Sequence, residues 1–222
     1  MSTQQSGHSS SFTDLMASLL AVFVLLFVAA QNKKHGERNE DRDLLIRALR
    51  GELTQAGIDS ASVSADPRDP NAVVVVLPEK LFFRRGEASM LDSGKATVRR
   101  ATPGLVRILC EGKLRQRLDQ VVVEGHTDIT IPPGMSAQDG KRYNLRLSQL
   151  RSMDFVATST EALSDSAQLS CYLALVSATG RGQDDPIRNV PPDHDKQRRV
   201  QLKIRMHEEL KDTTTVDSPI LQ

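Results

Sequence analysis

The longest apolar stretch of the chain lies near its N-terminal end. Residues 19–30 carry no polar side chain, and the apolar character begins at Phe12. As an α-helix, residues 12–30 would rise about 1.5 Å each, or roughly 28 Å in all, which is close to the thickness of bilayer hydrocarbon. We therefore predict a transmembrane helix over residues 12–30.

Asp14 is an acid inside this apolar stretch. An ionisable group in a membrane helix costs on the order of 2.5–3.5 kcal/mol at mid-helix and less near an end, and such groups commonly mark ion or proton sites. Thr13 or Asp14 could instead cap the helix at the membrane surface. A signal peptide is disfavoured because the apolar run is long, no basic residue precedes it, and residues 31–34 form a poor cleavage site. We interpret the segment as a retained single anchor.

Helical periodicity returns between Asp41 and Ala56, and Gly57 is suited to end that helix. Its apolar positions share one face, and they are Leu44, Leu45, Ala48, Leu49 and Leu53. This amphipathic helix could pair with a second copy of itself or pack on its own domain, and the pattern alone leaves both open.

The remaining pattern alternates short apolar runs with longer helical segments. Predicted strands cover residues 58–63, 73–77, 121–124, 173–178 and 200–206, and predicted helices cover residues 91–110 and 145–163. A turn at residues 66–71 and a long loop from Gly125 to Tyr143 separate some of them. Strands separated by helices indicate an α+β fold, with helices on one face of a mixed sheet.

Composition excludes several function classes. The 222 residues carry 29 basic and 28 acidic side chains, a net charge of +1, no Trp and 4% aromatics, so a nucleic-acid surface is not expected. No nucleophile–base pair or phosphate loop indicates an enzyme, and no Cys/His cluster indicates a metal site. Cys110 and Cys171 could form a disulfide if that part lies outside the cytoplasm, or remain buried thiols.

Four short motifs follow one another in the distal part of the chain. A strand ends in Gly125-His126-Thr127-Asp128, and the other three are residues 144–151 (NLRLSQLR), residues 180–186 (GRGQDDP) and residues 197–200 (QRRV). In this order and spacing they resemble the OmpA-like peptidoglycan-binding domain, over roughly residues 72–206. The resemblance implies an α/β sandwich with a mixed sheet and helices on one face.

The resemblance also implies roles for particular side chains. A peptidoglycan stem peptide carries a diaminopimelate residue with both an ammonium and a carboxylate. Asp128 would accept from the ammonium, and Arg151 would bind the carboxylate. Asn144 would hold the loop, Arg198 would lie at the pocket edge, and Thr127 would line the site beside Asp128.

The sequence departs from the family pattern at three places. The loop before Asn144 is longer than usual, Ser152 stands where the family has Ala, and Gln197 stands where it has Asn. Both charged partners of the expected ligand remain. His126 is expected to be a structural residue of this motif and not a metal ligand.

Together with the distal domain, the membrane helix resembles that of MotB-type stator subunits. Residues 12–20 (FTDLMASLL) match the family's acid-containing motif, with Asp14 and Met16 in register. The resemblance implies that Asp14 binds and releases H⁺ or Na⁺, with no other cofactor. It also implies a homodimer inside a ring of five MotA-like multi-span subunits, such as ZorA.

Two kinds of stator share these parts. Flagellar subunits usually have a basic N-terminal tail and a longer linker, whereas this tail is rich in Ser and Gln and the connector spans only residues 31–71. The chain therefore resembles the ZorB subunits of Zorya anti-phage defence more than flagellar MotB. A non-conducting OmpA-like anchor between membrane and cell wall is the rival class.

We thus predict a disordered cytoplasmic tail (1–11), a transmembrane helix (12–30), a connector (31–71), a peptidoglycan-binding domain (72–206) and a C-terminal tail (207–222). The expected location is the bacterial inner membrane, with the C-terminal domain in the periplasm. Lys33, Lys34, Arg38 and Arg42 follow the anchor, and the positive-inside rule alone would place that side in the cytoplasm. The two expectations conflict.

Overall fold

The computed structural model describes residues 8–58 and 63–207. The first seven residues of the predicted N-terminal tail, the predicted C-terminal tail from residue 208, and residues 59–62 of the first predicted strand lie outside these ranges. The chain divides into two compact units, Met1–Asp43 and Leu44–Gln222, which we describe separately.

Helix α1 covers His8–Gln55. It begins about one turn before the predicted transmembrane start, and the predicted connector is helical up to Gln55. No proline lies within these residues, so no residue type that breaks a helix outright interrupts them. In the first unit, Thr13–Gln31 is 19 residues long with a mean hydropathy of 2.3, which makes it long and apolar enough to cross a membrane.

A five-stranded mixed sheet forms the centre of the second unit. Its strands are β1 (Val63–Asp66), β2 (Asp69–Pro78), β3 (Leu118–His126), β4 (Val176–Gly182) and β5 (Arg199–Met206). Their order is β1-β2-β5-β3-β4. The β3–β4 pair is parallel and the other three pairs are antiparallel.

The helices of this unit are α2 (Asp92–Cys110), α3 (Gly112–Arg115), α4 (Ala137–Glu161) and α5 (Ser166–Leu175). Alternate strand residues such as Val73, Val75 and Ile204 point into one hydrophobic core that also contains Val98 and Phe155 from the helices. The predicted fold class is confirmed: an apolar N-terminal helix is followed by an α/β unit with a mixed sheet.

The last turns of α1 pack on this core. Leu45, Leu49 and Leu53 recur every four residues and are at most 1% exposed, because residues at this spacing share one helix face. Of the two alternatives for the amphipathic helix, the structure shows packing on its own domain.

Several predicted boundaries are wrong. Of the described residues in the first predicted strand (58–63), only Val63 lies in β1, and β2 begins at Asp69, inside the predicted turn. Leu173–Leu175 belong to helix α5, and strand β4 begins only at Val176. The α5 helix begins at a cap in which Asp165 accepts a hydrogen bond from the Gln168 backbone N–H. An apolar run of this length does not by itself distinguish a strand from a buried helix.

The loop after β3 is also shorter than predicted. Helix α4 begins at Ala137, because the Ser136 side chain accepts from the Asp139 backbone N–H at 3.1 Å and caps the helix. The serine followed three residues later by an acid was a readable cap signal.

Candidate functional site

The predicted binding residues collect at one edge of the sheet. Pro78 at the end of β2 and His126 at the end of β3 both pair with Arg199 at the start of β5. The residues just beyond these ends, Glu79 and Asp128, therefore lie on either side of Arg198, which contacts both. Antiparallel pairing of β5 with both strands is what brings them together.

A cleft of about 180 Å³ opens at this edge, and Thr127, Asp128, Asn144 and Arg151 all line it. Arg198 contacts Asp128 from beside the cleft. The structure thus brings the five predicted peptidoglycan-binding residues together.

Four charged side chains form a chain of ion pairs along the cleft. Arg151 Nη2 lies 2.5 Å from Glu79 Oε1, and Glu79 Oε2 lies 2.7 Å from Arg198 Nε. Arg198 Nη1 then donates to Asp128 Oδ2. Arg198 also pairs with Asp195 at the surface. Sequence reasoning did not identify Glu79, which joins the two arginines.

Burial changes the acid–base properties of this chain. Glu79 is 5% exposed, and burial raises its pKa against the opposing charges of Arg151 and Arg198. Burial also disfavours the charged form of Arg151 and so lowers its pKa, although the charge of Glu79 partly offsets this. Glu79 Oε1 accepts no directed hydrogen bond from the described residues, so its contact with Arg151 is mainly electrostatic.

Arg151 is held from several sides. Its Nε donates to the Glu87 carbonyl at 2.8 Å and its Nη2 to the Arg84 carbonyl at 3.2 Å. The guanidinium carbon lies 5.3 Å from the centre of the Phe83 ring, within cation–π range. Among the hydrogen bonds between described residues, Arg151 uses Nε and Nη2 and none uses Nη1.

Asp128 and Asn144 shape the opposite wall. Asp128 Oδ1 accepts from the Thr130 backbone N–H at 2.9 Å. Asn144 Nδ2 lies 3.1 Å from the Asp128 carbonyl, 3.2 Å from the Thr130 carbonyl and 2.9 Å from Gln183 Oε1. Asn144 therefore holds the loop that carries Asp128. Thr127 donates its backbone N–H to the Gly182 carbonyl at 2.9 Å.

The glycines of the motifs allow α4 to approach the sheet. A Cβ on Gly125 would lie 2.0 Å from the Ser148 carbonyl oxygen, and one on Gly180 would lie 2.6 Å from the Gln149 backbone nitrogen. Ser148 Oγ accepts from the Gly182 N–H at 2.9 Å. Close packing of α4 on β3 and β4 thus requires small residues here.

His126 at the end of β3 lies close to Glu124 and Asp185, and the ligand atoms of the three side chains lie within 4.8 Å of one another. This is the one group among the described residues with metal-ligand geometry. Arg68 pairs with Asp185, however, and Arg181 lies 4.0 Å from Glu124. We assign no metal to it, because Arg68, Arg181 and Arg199 already place positive charge around this group.

His126 itself is 1% exposed and neither ring nitrogen has a hydrogen-bond partner among the described residues. Burial lowers its pKa, with the nearby Glu124 acting in the opposite direction. Because its pKa lies below the ordinary 6.5, the imidazole is neutral at pH 7. Burial also lowers the pKa of the neighbouring Arg199, to about 10.

Cys110 and Cys171 form a disulfide, with their Cα atoms 6.0 Å apart. The bond links the end of α2 to α5. It joins two helices on the same face of the sheet.

Asp14 lies in the other unit, in the first turn of the apolar segment Thr13–Gln31. Its side chain is exposed, and its backbone carbonyl accepts from Ser18 Oγ at 2.8 Å. A carboxylate at this end of an apolar helix can bind a cation or a proton.

Fold and site together define a protein with an N-terminal helix long and apolar enough to cross a membrane and a distal α/β unit whose cleft is lined by buried acids and bases. No protein-family model matches the chain, and no curated protein matches it. Among solved structures, a MotB-like protein from Desulfovibrio vulgaris superposes with a TM-score of 0.56 at 18% identity, covering 77% of this chain and 98% of that chain. At this identity the likeness shows a shared fold.

Two other solved structures are similar over much of the chain. The cell wall anchor of the T6SS from Pseudomonas aeruginosa has a TM-score of 0.47 at 21% identity, covering 72% of this chain and 97% of that chain. The periplasmic domain of Helicobacter pylori MotB has a TM-score of 0.46 at 16% identity, covering 66% and 79%.

Proposed function

We propose that the distal domain anchors this protein to peptidoglycan by binding the diaminopimelate residue of a stem peptide. One observation carries the proposal: a single cleft holds Asp128 and Arg151, each at most 3% exposed. With Glu79 and Arg85, the cleft lining has two acids and two bases. A site of balanced charge suits a ligand that has both an ammonium and a carboxylate.

The hydrogen-bonding capacity left in the cleft supports this ligand. A carboxylate offers about four lone-pair positions. On Asp128, two of them are used by described donors, the Thr130 N–H and Arg198. The ammonium would take the remaining positions. The ligand carboxylate would accept from Arg151 Nη1, while Nε and Nη2 keep that side chain in place.

Binding of the full chain to purified cell-wall sacculi tests the proposal. Asp128→Asn keeps the shape and the bond from Thr130 but removes the charge, and we expect it to lose most of the bound fraction. Asp184→Asn is the matched control, because Asp184 is an exposed neighbour of the site. Equal binding by both variants and the unmodified protein would refute the site, provided circular dichroism shows each variant folded.

We further propose that Asp14 carries H⁺ or Na⁺ through an inner-membrane complex of this chain, as a homodimer, with a MotA-like or ZorA-like multi-span subunit. The apolar segment that contains Asp14 supports this, because an acid there is costly unless it has a function. Each charge crossing 100 mV releases about 2.3 kcal/mol, which can bias a step between two conformations.

The ion-site proposal is tested by ion flux in membranes that contain both subunits. Asp14→Asn should abolish flux while leaving insertion and assembly intact, whereas Asp14→Glu, which keeps the titratable group, should retain part of it. Full flux with the asparagine would favour a non-conducting anchor, in which Asp14 is an interfacial cap.

The proposed orientation has the N-terminus in the cytoplasm and the distal unit in the periplasm. The disulfide between Cys110 and Cys171 supports it, because disulfides persist in the periplasm and are rare in the cytoplasm. This outweighs the statistical positive-inside count.

The biological setting we propose is Zorya-type anti-phage defence, with a flagellar stator as the alternative. The Ser/Gln-rich N-terminal segment without basic residues and the short connector favour the former. Plating efficiency of phage on cells with and without Asp14→Asn distinguishes the two, since a flagellar subunit would change swimming instead.

A further inference from the structure

A second cleft lies next to the first one. It has a volume of about 510 Å³ and is lined on one side by the segment after β2 and on the other by the segment before β5. Glu79 and Arg85 line both clefts. A ligand in the first cleft can therefore continue into the second without leaving the protein surface.

The two clefts differ in charge. The second is lined by Lys80, Arg85 and Lys196 at its exposed rim, in addition to Arg198 and Arg199. Its two acids, Glu79 and Asp195, are both paired with Arg198. Among the described residues, Lys80 and Lys196 have no ion-pair partner. The second cleft thus carries an excess of positive charge, whereas the first is balanced.

His194 and apolar side chains contribute the remainder of the second cleft. Val76, Phe83 and Ile187 line it, and Phe83 is 2% exposed. A concave site with apolar walls and a few converging cations suits a small chain molecule with carboxylates and methyl groups. A flat membrane surface would instead be met by a broad, convex cationic face.

One wall of this cleft is held in place by Gln197. Its Oε1 accepts from the Ile187 N–H at 2.8 Å, and its Nε2 lies 3.0 Å from the Val190 carbonyl and 3.2 Å from the Pro191 carbonyl. Gln197 is 1% exposed. It therefore ties residues 187–191 to the start of β5, so the wall is formed before any ligand arrives.

We propose that the second cleft binds the carboxylate-bearing main-chain part of the stem peptide whose diaminopimelate residue occupies the first cleft. This inference rests on the proposed peptidoglycan binding and adds a subsite to it. Lys80 and Lys196 attract the free carboxylate next to the diaminopimelate residue, and the apolar walls receive the methyl groups of the peptide.

Calorimetry on the full chain in detergent tests the subsite with three probes. They are free meso-diaminopimelate, the tripeptide L-alanyl-γ-D-glutamyl-meso-diaminopimelate, and the same tripeptide with its glutamyl carboxylate amidated. Exposed charge contacts of this kind together contribute about a tenfold gain in affinity, so the unmodified protein should bind the acidic tripeptide about tenfold more tightly than free diaminopimelate. Amidation should remove that gain.

The double variant Lys80→Gln with Lys196→Gln should lose the same tenfold gain, while its affinity for free diaminopimelate changes less than twofold. The matched control is Lys95→Gln with Lys113→Gln, which removes two lysines that line neither cleft. It should bind all three probes as the unmodified protein does.

The outcomes distinguish failure of the subsite from failure of the proposed peptidoglycan binding. If the unmodified protein binds free diaminopimelate, but the Lys80 and Lys196 variant binds the acidic tripeptide as tightly as the unmodified protein does, the subsite is refuted and peptidoglycan binding stands. If no probe binds, both fail. If the variant keeps tripeptide binding but loses binding to phosphatidylglycerol vesicles, the second cleft contacts lipid and the subsite is refuted.

Discussion

Replacing Arg151 with Met should destabilise the distal unit as well as weaken wall binding. The substitution keeps an unbranched apolar side chain but removes the guanidinium. It therefore removes the hydrogen bonds to the Glu87 and Arg84 carbonyls and the ion pair with Glu79. Arg151 is 2% exposed, so water does not replace these contacts.

The size of the effect follows from those contacts. Removing one partner of a buried ion pair costs about 3–5 kcal/mol, mostly because the other charge is left uncompensated. Glu79 keeps Arg198 at 2.7 Å, which places the expected loss at the lower end, about 3 kcal/mol. A domain is typically stable by about 5–15 kcal/mol, so the variant should still fold.

Urea unfolding of the full chain in detergent measures this loss. The chain has no Trp and two Tyr, and Tyr172 is 4% exposed in the core. Tyrosine fluorescence therefore reports on the distal unit, and circular dichroism at 222 nm provides a second signal.

Two further variants make the result specific. Adding Glu79→Gln to Arg151→Met should recover at least half of the lost free energy, because the buried side chain is then neutral. Arg146→Met, on the exposed face of α4, should change stability by less than about 0.5 kcal/mol. A loss below about 1 kcal/mol in Arg151→Met, or no recovery in the double variant, would refute the electrostatic role of this pair.

Two other predictions concern stability. Cys110→Ser with Cys171→Ser should lower the free energy of unfolding by about 4 kcal/mol, because the disulfide closes a separation of 61 residues and its loss frees the unfolded chain. A reductant should lower the stability of the unmodified protein equally, and a loss below about 1 kcal/mol in either experiment would contradict this prediction. His126 has its pKa lowered by burial from the ordinary 6.5, so the unfolded state binds a proton that the folded state does not. Stability should therefore fall as pH drops below 6.5, by up to about 1.4 kcal/mol per pH unit, and His126→Leu should flatten this dependence; an unchanged slope between pH 7 and 5 would count against it.

Local patterns predict the strands and helices that have a clear period. The continuous apolar run predicts β2, the alternation at residues 200–206 predicts β5, and both are observed. The start of α4 was mispredicted and helix α5 was not predicted, because polar caps at Ser136 and Asp165 start these helices. Short polar signals of this kind are weaker than hydrophobic periodicity.

Motif order in the sequence predicted several of the residues that line the first cleft. Asp128, Asn144 and Arg151 belong to two motifs, and the cleft contains all three. Their intramolecular partners were not predictable in this way. Glu79 lies in no motif, and it joins Arg151 to Arg198 only because the ends of β2 and β3 flank the start of β5.

The sequence by itself determined the apolar segment that contains Asp14, the order of the strands and helices with a clear period, and the motifs that supply Asp128 and Arg151. These features depend on neighbours along the chain. Only the tertiary structure decided that Arg151 and Asp128 are bridged by Glu79 and Arg198, and that a second, cationic cleft adjoins the first. These features depend on side chains far apart in sequence, which strand pairing and the close approach of α4 at Gly125 bring together.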